Sequence, residues 1–300
     1  MKNGTVIYIS SENISVVTAE SKRDVLRVND YFQLPLNEGT MLNGVIIDDY
    51  DLKQKLKVVY DKGITEAVLV VDSAKILAKS ASIPKMREKE ILQFVKDELS
   101  TVDSNSEDVV YDYSYIGDDE TVKGASKIFC VGVERQFIDS YLEVFNESGI
   151  AIVAIDYAIN VLMSLVKQLA GFLDKSYAIT QIDGQNVISV LFINNEYILT
   201  NRSRIFSTKG TLEFENEVIG VISQLKQFAS SSQQDHPLTD IYFFGLDQEK
   251  EQKLFDRIRT SLGIIANRLP KSKAIYAVNN NEVSFDINDY AYCVGYFKRK

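Results

Sequence analysis

The stretch SYAITQIDGQNVISVLFINNEYILTNRSRIF, residues 176–206, decides the fold. Its segments 176–182 and 187–193 are apolar and rich in β-branched side chains, and the pair Asp183-Gly184 stands between them. An Asp-Gly pair between two such segments predicts a β-hairpin, because glycine readily adopts the positive φ that the turn needs.

A third β-rich segment at 196–204 completes a predicted meander, and an apolar stripe with helical spacing follows at 218–228. The N-terminus repeats this order, with β-rich segments at 5–10, 14–20 and 25–34. Two copies of a meander, each leading into alternating helices and strands, predict a duplicated α/β fold.

Composition and charge exclude several classes of protein. The 300 residues are 45% hydrophobic and 25% charged, which is typical of a soluble globular protein with room for two domains. The formal net charge of -9 argues against binding to nucleic acid, which attracts basic surfaces. No apolar run approaches the ~20 residues that span a bilayer, and the N-terminus has no signal-peptide core, so we expect a cytoplasmic chain.

Few residues suit metal binding or catalysis. Cys130 and Cys293 stand far apart in apolar runs and are predicted to be buried thiols rather than a disulfide. His236 is the only histidine, which excludes a metal site built from several histidines. No Gly-x-Ser-x-Gly motif is present to hold a nucleophilic serine. The sequence therefore predicts no metal centre and no catalytic residues.

If the two meanders are equivalent, the first half of the fold contains an insertion. Residues 1–34 and 126–175 are then predicted to form the first half, and residues 176–300 the second. The intervening residues 35–125 contain enough helices and strands for a small α/β subdomain of their own. We expect this inserted subdomain to lie beside the central sheet and not within it.

Local patterns between residues 68 and 295 carry a resemblance to a known family. They are Val68-Leu69-Val70-Val71, Ile83-Pro84-Lys85-Met86, Glu88-Lys89-Glu90-Ile91, a strand at 108–113, a helix at 217–228 with Ile222-Ser223-Gln224-Leu225, and a closing helix at 289–295. In these patterns and in the order of its elements the chain resembles PilM, the actin-like cytoplasmic family of type IV pilus assembly, and more distantly the division protein FtsA. The resemblance implies an actin-like α/β fold of two RNase H-like halves, with an inserted small α/β subdomain and a reduced second half.

The same resemblance implies a nucleotide site from which this chain departs. Actin-like proteins hold ATP between their halves with two glycine-bearing hairpin turns and an aspartate that positions magnesium. In the first turn, Tyr8 stands where the family has that aspartate, and Ser10 stands where it has glycine. Glu12 adds a negative charge beside the expected phosphates.

The second turn keeps Gly184, while the family aspartate aligns with Gln181, or with Asp183 after a shift of register. The chemistry of an Asp-Gly turn explains Asp183 and Gly184 equally well, so both interpretations stay open. The residues left of a nucleotide site would be Ser10, Ser11, Asn13, Asp183, Gly184 and Gly245.

Only residues 207–210 separate the second meander from its helix, where the family has a further subdomain. One wall of the cleft is therefore expected to be absent, and few groups remain to offset the charge of a triphosphate. We expect a pseudo-ATPase without bound ATP or magnesium and without enzymatic turnover. An ATP-binding switch or ATPase of the same superfamily is the alternative.

In the PilM family, the N-terminal peptide of the membrane protein PilN lies in a groove between the first half and the inserted subdomain. By this resemblance Met86, Phe94, Tyr111 and Tyr113 are candidate partner-binding residues, because methionine and aromatic side chains adapt to and anchor such peptides. Two alternatives stay open. Phe94 would pack the subdomain's own core, and the tyrosines would form one face of a solvated sheet.

The resemblance implies a cytoplasmic scaffold, peripheral at the inner face of the cell membrane, that docks the tail of a PilN-like inner-membrane protein. Such a scaffold would couple this partner to the assembly platform of a type IV pilus, or of a related secretion system, or to motor proteins, and self-association is left open. The basic end Lys298-Arg299-Lys300 fits either the flank of a membrane segment or a cap of the last helix, and the sequence does not separate the two.

Overall fold

The computed structural model of the protein describes residues 2–23, 25–100, 108–119, 122–169, 172, 175–232, 237–246, 248–278 and 284–299. Its strands are β1 (Lys2–Ile9), β2 (Asn13–Lys22), β3 (Val25–Pro35), β4 (Met41–Leu42), β5 (Val45–Ile46), β6 (Glu66–Val71), β7 (Leu77–Ile83), β8 (Val109–Asp118), β9 (Ser126–Glu134), β10 (Ala151–Tyr157), β11 (Tyr177–Asp183), β12 (Asn186–Ile193), β13 (Glu196–Arg204), β14 (Asp240–Phe244), β15 (Ile265–Arg268) and β16 (Ile275–Ala277). Its α-helices are α1 (Asp49–Asp61), α2 (Glu88–Ser100), α3 (Arg135–Glu147), α4 (Ala158–Val166), α5 (Leu212–Ser232), α6 (Gln248–Leu262) and α7 (Ala291–Lys298).

The sheet of the first half contains six strands in the order β10-β6-β1-β2-β3-β16. β1, β2 and β3 form an antiparallel meander, so this prediction is confirmed. β6 and β10 add in parallel on the β1 side, and β16 adds in parallel on the β3 side. Residues 67–71 of β6 are all buried, as expected for a parallel strand that is covered on both faces.

The sheet of the second half contains five strands in the order β13-β12-β11-β14-β15. The predicted hairpin is confirmed: β11 and β12 pair up to Asp183 and Asn186, and Gly184 in the turn has a φ of 57°. Helices α5 and α6 share an apolar cluster with this sheet, in which Val218, Ile222 and Ile258 are buried. Val218, Ile222 and Leu225 of the predicted stripe therefore face the core, whereas Phe228, at the end of the stripe, is 42% exposed.

The inserted module is a three-stranded sheet in the order β7-β9-β8 that packs against α2. Ile91, Val95 and Leu99 recur every four residues along α2, so they lie on one face of the helix. This face packs on Ile128 and Cys130 of β9 in a separate apolar cluster. The module therefore has a small core of its own.

The boundaries of this module differ from the predicted 35–125. Helix α1 and strand β6 belong to the first half, where β6 lies between β1 and β10. Strand β9, predicted outside the subdomain, forms the centre of the module's sheet. The module therefore comprises residues 77–134. Buried strands of similar apolar composition carry no local signal of the sheet that they join, which explains both differences.

The end of the chain returns to the first half, although the predicted second half extends to residue 300. β16 pairs with β3, and α7 packs on α4. A Cβ at Gly295 would lie 2.4 Å from the carbonyl oxygen of Val161, so this close contact requires glycine. The Tyr292 hydroxyl of α7 donates a hydrogen bond to Oε1 of Gln181 in β11 at 2.9 Å. Helix α7 thus contacts both halves.

Two further expectations concern thiols and membrane spans. Cys130 and Cys293 are buried free thiols, which confirms the prediction for both. None of the helices in the described ranges combines the length and the apolar character that a bilayer span requires.

Candidate functional site

The two hairpin turns predicted to face a nucleotide contact each other directly. The Asp183 carboxylate accepts hydrogen bonds from the Ser11 backbone N–H at 2.9 and 3.0 Å and from the Ser11 hydroxyl at 3.0 Å. Asn186, at the other end of the second turn, donates to the Ser11 hydroxyl at 3.4 Å. A carboxylate of the protein therefore occupies the first turn, where the resemblance places a phosphate.

The other N–H groups of the first turn are also satisfied within the chain. The Ser10 hydroxyl accepts from the N–H of Glu12 at 3.1 Å and from that of Asn13 at 2.9 Å. The Ser10 N–H donates to the carbonyl of Asn13 at 2.9 Å. A phosphate-binding loop needs N–H groups that point at the ligand, and here the protein itself uses all four from residues 10–13.

A neutral hydrogen-bonded group stands where the resemblance places the magnesium aspartate. The Gln181 side chain donates to the Tyr8 hydroxyl at 3.2 Å and accepts from the Tyr292 hydroxyl at 2.9 Å. Burial raises the pKa of both tyrosines well above the ordinary value, so both hydroxyls stay protonated. This trio supplies no charged ligand for a metal ion.

The cavity between the turns and α7 has a volume of about 190 Å³. Glu12, Asp183 and Asp289 line it, whereas no lysine, arginine or histidine is among its described lining residues. Ligand pockets usually have volumes of ~300–1,000 Å³, and polyphosphates need cationic partners. The cavity is therefore small, and its three carboxylates outnumber the one cation that the described residues place at its border, Lys209, which pairs with Glu12 at 2.7 Å.

Packing explains the two glycines predicted at this site. A Cβ at Gly245 would lie 2.3 Å from the Ile182 carbonyl oxygen, because the end of β14 lies close against β11. A Cβ at Gly184 would lie 3.4 Å from Cβ of Ser11, and its positive φ belongs to the hairpin turn. The structure brings the six predicted residues of the nucleotide site to one place, where they contact each other or line the cavity. These residues are Ser10, Ser11, Asn13, Asp183, Gly184 and Gly245.

Burial raises the pKa of Asp183 to about 6, although the hydrogen bonds from Ser11 act in the opposite direction. This pKa lies above that of an exposed aspartate, so the folded state binds the proton more tightly than the unfolded state. We therefore expect the free energy of unfolding to rise by roughly 1 kcal/mol as the pH falls from 7 to 5. Urea denaturation at the two pH values measures this change.

The matched control is Asp183→Asn, which keeps an oxygen for the Ser11 N–H but does not titrate. Other groups with a raised pKa, such as Asp289, are present in both proteins and cancel in the comparison. Equal pH dependence in the two proteins would contradict the assignment of this titration to Asp183.

A buried ion pair that the sequence did not predict joins the two halves beside the turns. Arg202 of β13 donates to both oxygens of Asp72 at 2.8 and 2.5 Å and to the Tyr157 hydroxyl at 3.2 Å. Asp72 directly follows β6. Its position at the end of a buried parallel strand is the sequence signal that could have singled out this carboxylate. Nothing in the sequence indicates that Arg202, 130 residues away, is its partner.

A second cavity, which we call the module groove, lies between the first half and the inserted module. Its volume is about 260 Å³. The apolar residues that line it include Val71, Ile76, Val110, Val131, Ile138 and Ile155. Its lining strands β8 and β10 each pair with one neighbour only, so each has a free edge in the part of the chain that the structure describes.

One end of the module groove is polar. The Ser114 hydroxyl donates to Oδ1 of Asn160 at 2.6 Å, and Nδ2 of Asn160 donates to Asp156 at 2.8 Å. The Arg299 guanidinium completes this chain of contacts through Nη1, which lies 2.5 Å from the other oxygen of the buried Asp156. The basic end of the sequence thus places one of its cations at the groove, where it pairs with a carboxylate.

Only one of the four predicted partner-binding residues lines the module groove. Met86, Phe94 and Tyr111 pack against the cluster of α2 on the other face of the module's sheet, and Tyr113 touches both. Alternation along β8 explains this placement, because residues 111, 113 and 115 face one side and residues 110, 112 and 114 the other. The alternation of β8 predicts that Val110 and Ser114 share the face opposite to the tyrosines, but it does not predict which of the two faces lines the groove.

Comparisons with known proteins agree with this architecture. The chain matches the family described as "Type IV pilus assembly protein PilM" over residues 6–273. A solved PilM-PilN type IV pilus biogenesis complex contains a chain that is 15% identical, with a TM-score of 0.76, and the match covers 99% of this chain and 98% of that one. A comparison with curated protein sequences found no match.

Two other solved structures are similar at 10% identity. One is a Bacteroides thetaiotaomicron protein with an actin-like ATPase fold and unknown function, with a TM-score of 0.53 and coverage of 97% of this chain and 95% of that one. The other is the cytoplasmic domain of EpsL, an inner membrane component of the type II secretion system of Vibrio cholerae, with a TM-score of 0.52 and coverage of 100% and 96%. The predicted actin-like α/β fold is confirmed.

The connection between the second meander and its helix is short, as the sequence indicates. β13 ends at Arg204 and α5 begins at Leu212, so residues 205–211 alone join them and no further subdomain lies between these two elements. The comparison with the PilM-PilN complex does not test the predicted reduction of the second half, which stays a prediction.

Proposed function

Because this chain belongs to the PilM family of type IV pilus assembly proteins, we propose that it is a scaffold that docks a tail of a PilN-like membrane protein. The module groove carries this proposal, because it is apolar, open and bordered by two edge strands. The similar solved structure is itself a complex of PilM with PilN. We place the protein at the inner face of the cell membrane, where it would connect this partner to other components of pilus assembly.

An extended peptide suits the module groove better than a helix or a small molecule does. A peptide strand can pair with the free edge of β8 or β10, and its alternate side chains can enter the apolar part of the groove. The polar end around Asp156 and Asn160 offers hydrogen bonds to groups of the peptide that leave water. Titration of a labelled tail peptide of the PilN-like partner tests this proposal, and absence of saturable binding would contradict it.

The scaffold is proposed to work without nucleotide turnover. Three observations support this: the occupied N–H groups of residues 10–13, the neutral trio around Gln181, and the carboxylates of the small cavity. Each removes a contribution that ATP binding needs, namely donors for phosphate, a ligand for magnesium, and a favourable potential.

We expect no saturable binding of Mg-ATP at concentrations up to about 1 mM in calorimetric titration, which corresponds to less than about 4 kcal/mol of binding free energy. The carboxylate of Asp183 would have to leave Ser11 before a phosphate could take its place. The variant Asp183→Gly, which vacates the first turn, is the informative comparison. A micromolar dissociation constant for the unmodified protein would contradict the prediction.

A further inference from the structure

A basic surface lies at one corner of the six-stranded sheet, in a chain whose net charge is -9. Residues 20–27 and 270–276 form this surface, which we call the basic corner, and they contain five lysines and arginines against two acidic residues. The Leu26 N–H donates to the carbonyl of Ala274 at 2.7 Å and so joins the two segments. The turn between β2 and β3 and the start of β16 therefore present their cations together.

Strand register places apolar side chains among these cations. Buried and exposed residues alternate at the start of β3 and of β16, and register partners share a face of the sheet. The exposed residues include Val25, which is 43% exposed, and Tyr276, which is 48% exposed. Arg27 is the register partner of Tyr276, and Lys22 is that of Val25. The outer face of this corner thus combines apolar side chains with cations.

Most cations of the basic corner have no carboxylate partner among the residues that the structure describes. Four of them are exposed and make no ion pair within these ranges: Lys22, Arg23, Arg27 and Lys273. Of the two acidic residues, Glu20 accepts a hydrogen bond from Nδ2 of Asn29 at 3.4 Å. The four cations are therefore available to an anionic partner outside the chain.

The basic corner suits a lipid surface better than an acidic protein. A stable protein interface buries ~800 Å² on each partner around an apolar centre, whereas this corner offers three apolar side chains, each less than half exposed: Val25, Tyr276 and Val278. A membrane requires less apolar area, because lysine and arginine attract its anionic lipids and tyrosine is favoured at the level of the headgroups. The acidic remainder of the chain opposes this contact little, since the potential of a membrane falls off within about 8 Å.

We propose that the basic corner binds the anionic lipid surface of the membrane directly, with Val25 and Tyr276 among the headgroups. The choice of a lipid surface rests in part on the proposed function, which places the chain at the inner face of the membrane, where anionic lipids are found. The module groove contains no residue of this corner, and its strand β10 lies at the opposite edge of the sheet from β16. Lipid binding therefore leaves the groove accessible, and a test without the partner separates this inference from tail docking.

Co-sedimentation of the full chain with lipid vesicles tests the proposal. We expect binding to phosphatidylcholine vesicles that contain about 30% phosphatidylglycerol, no binding to phosphatidylcholine alone, and release at about 0.5 M NaCl. Lys22→Gln/Lys273→Gln should lower the partition coefficient by about 20-fold, because each cation at the surface contributes roughly five-fold. Lys85→Gln/Lys89→Gln, at two exposed lysines near the start of α2, is the matched control, since it changes the net charge equally and should leave binding unchanged.

A fluorescent reporter tests which surface meets the lipid. The chain contains no tryptophan, so Tyr276→Trp introduces a single one at the basic corner. Its emission should shift to shorter wavelength on binding, because indole leaves water for the headgroup region, whereas Tyr115→Trp, at a residue 61% exposed in the inserted module, should show no shift. Melting temperatures report whether each variant is folded.

Three results would overturn the proposal. They are absence of binding to anionic vesicles at about 1 mM lipid, equal binding by the two double lysine variants, and unshifted emission from a vesicle-bound Tyr276→Trp variant. Polyglutamate is the probe for the alternative occupant. Binding of polyglutamate that Lys22→Gln/Lys273→Gln weakens, without binding to vesicles, would assign the basic corner to an acidic protein instead.

Discussion

Replacement of Arg202 by methionine should lower the free energy of unfolding by about 3–5 kcal/mol. The Asp72 carboxylate is buried, and both of its oxygens accept from this guanidinium. Without Arg202 the carboxylate would remain in a low-dielectric site with no compensating charge, while methionine keeps much of the side-chain volume. The loss is therefore electrostatic, and urea denaturation at pH 7 measures it.

The double variant Asp72→Asn/Arg202→Met is the control for this prediction. It removes both charges together, and replacement of a complete buried pair is often close to neutral. We expect the double variant to recover most of the stability that the single variant loses. A single variant within about 1 kcal/mol of the unmodified protein would show that the pair contributes little to the contact between the halves.

Val110→Lys should weaken binding of the PilN-like tail by about 100-fold or more, which is roughly 2.7 kcal/mol. Val110 is half-buried and lines the apolar part of the module groove. A lysine there would extend into the space that a peptide side chain occupies. Its ammonium group would also lose its hydration whenever a peptide is bound. Fluorescence anisotropy with a labelled tail peptide measures the change.

Tyr115→Lys is the matched control, because Tyr115 lies on the same strand, faces the opposite side and is 61% exposed. Both variants introduce the same charge on β8, so a general electrostatic effect on the peptide would appear in both. Melting temperatures establish that each variant is folded. Equal loss of binding in the two variants, or normal binding by Val110→Lys, would place the tail elsewhere.

Local sequence signals were sufficient to predict the two meanders and the duplicated α/β fold. The Asp183-Gly184 pair requires a particular turn, and alternating or continuous apolar segments on each side specify strands that must pair next to each other. Such information is contained within about twenty residues, so it can be read without knowledge of the rest of the fold.

The assignment of strands to sheets depends on contacts that are distant in sequence. β6 and β9 are both buried and apolar, yet β6 joins the central sheet and β9 the module. The choice of which face of β8 lines the groove also depends on distant contacts. The alternation places the tyrosines on one face and the residues between them on the other, but it does not decide which face lies on the groove. Only the position of α2 decides which face is covered.

The candidate site could be predicted in part. Substitutions at Tyr8, Ser10 and Gln181 indicated a departure from nucleotide binding, because they change the chemistry of a known position. The contacts that close the cleft could not be predicted, since the Asp183–Ser11 bond joins residues 172 positions apart and the Asp72–Arg202 pair joins residues 130 apart. Hydrogen bonds and ion pairs at such separations have no sequence signature in a single chain.

The hydrogen bonds between Asp183 and Ser11 join the two halves through a carboxylate that belongs to the chain itself. A diffusible phosphate ligand leaves, is cleaved and is replaced, so a cleft that depends on it follows the energy supply of the cell. The Asp183 carboxylate is present once in every molecule, so its effective concentration at the turn does not vary with the supply of nucleotide. In this protein we therefore expect the relative position of the halves to be indifferent to the ATP level and to respond to acidity instead.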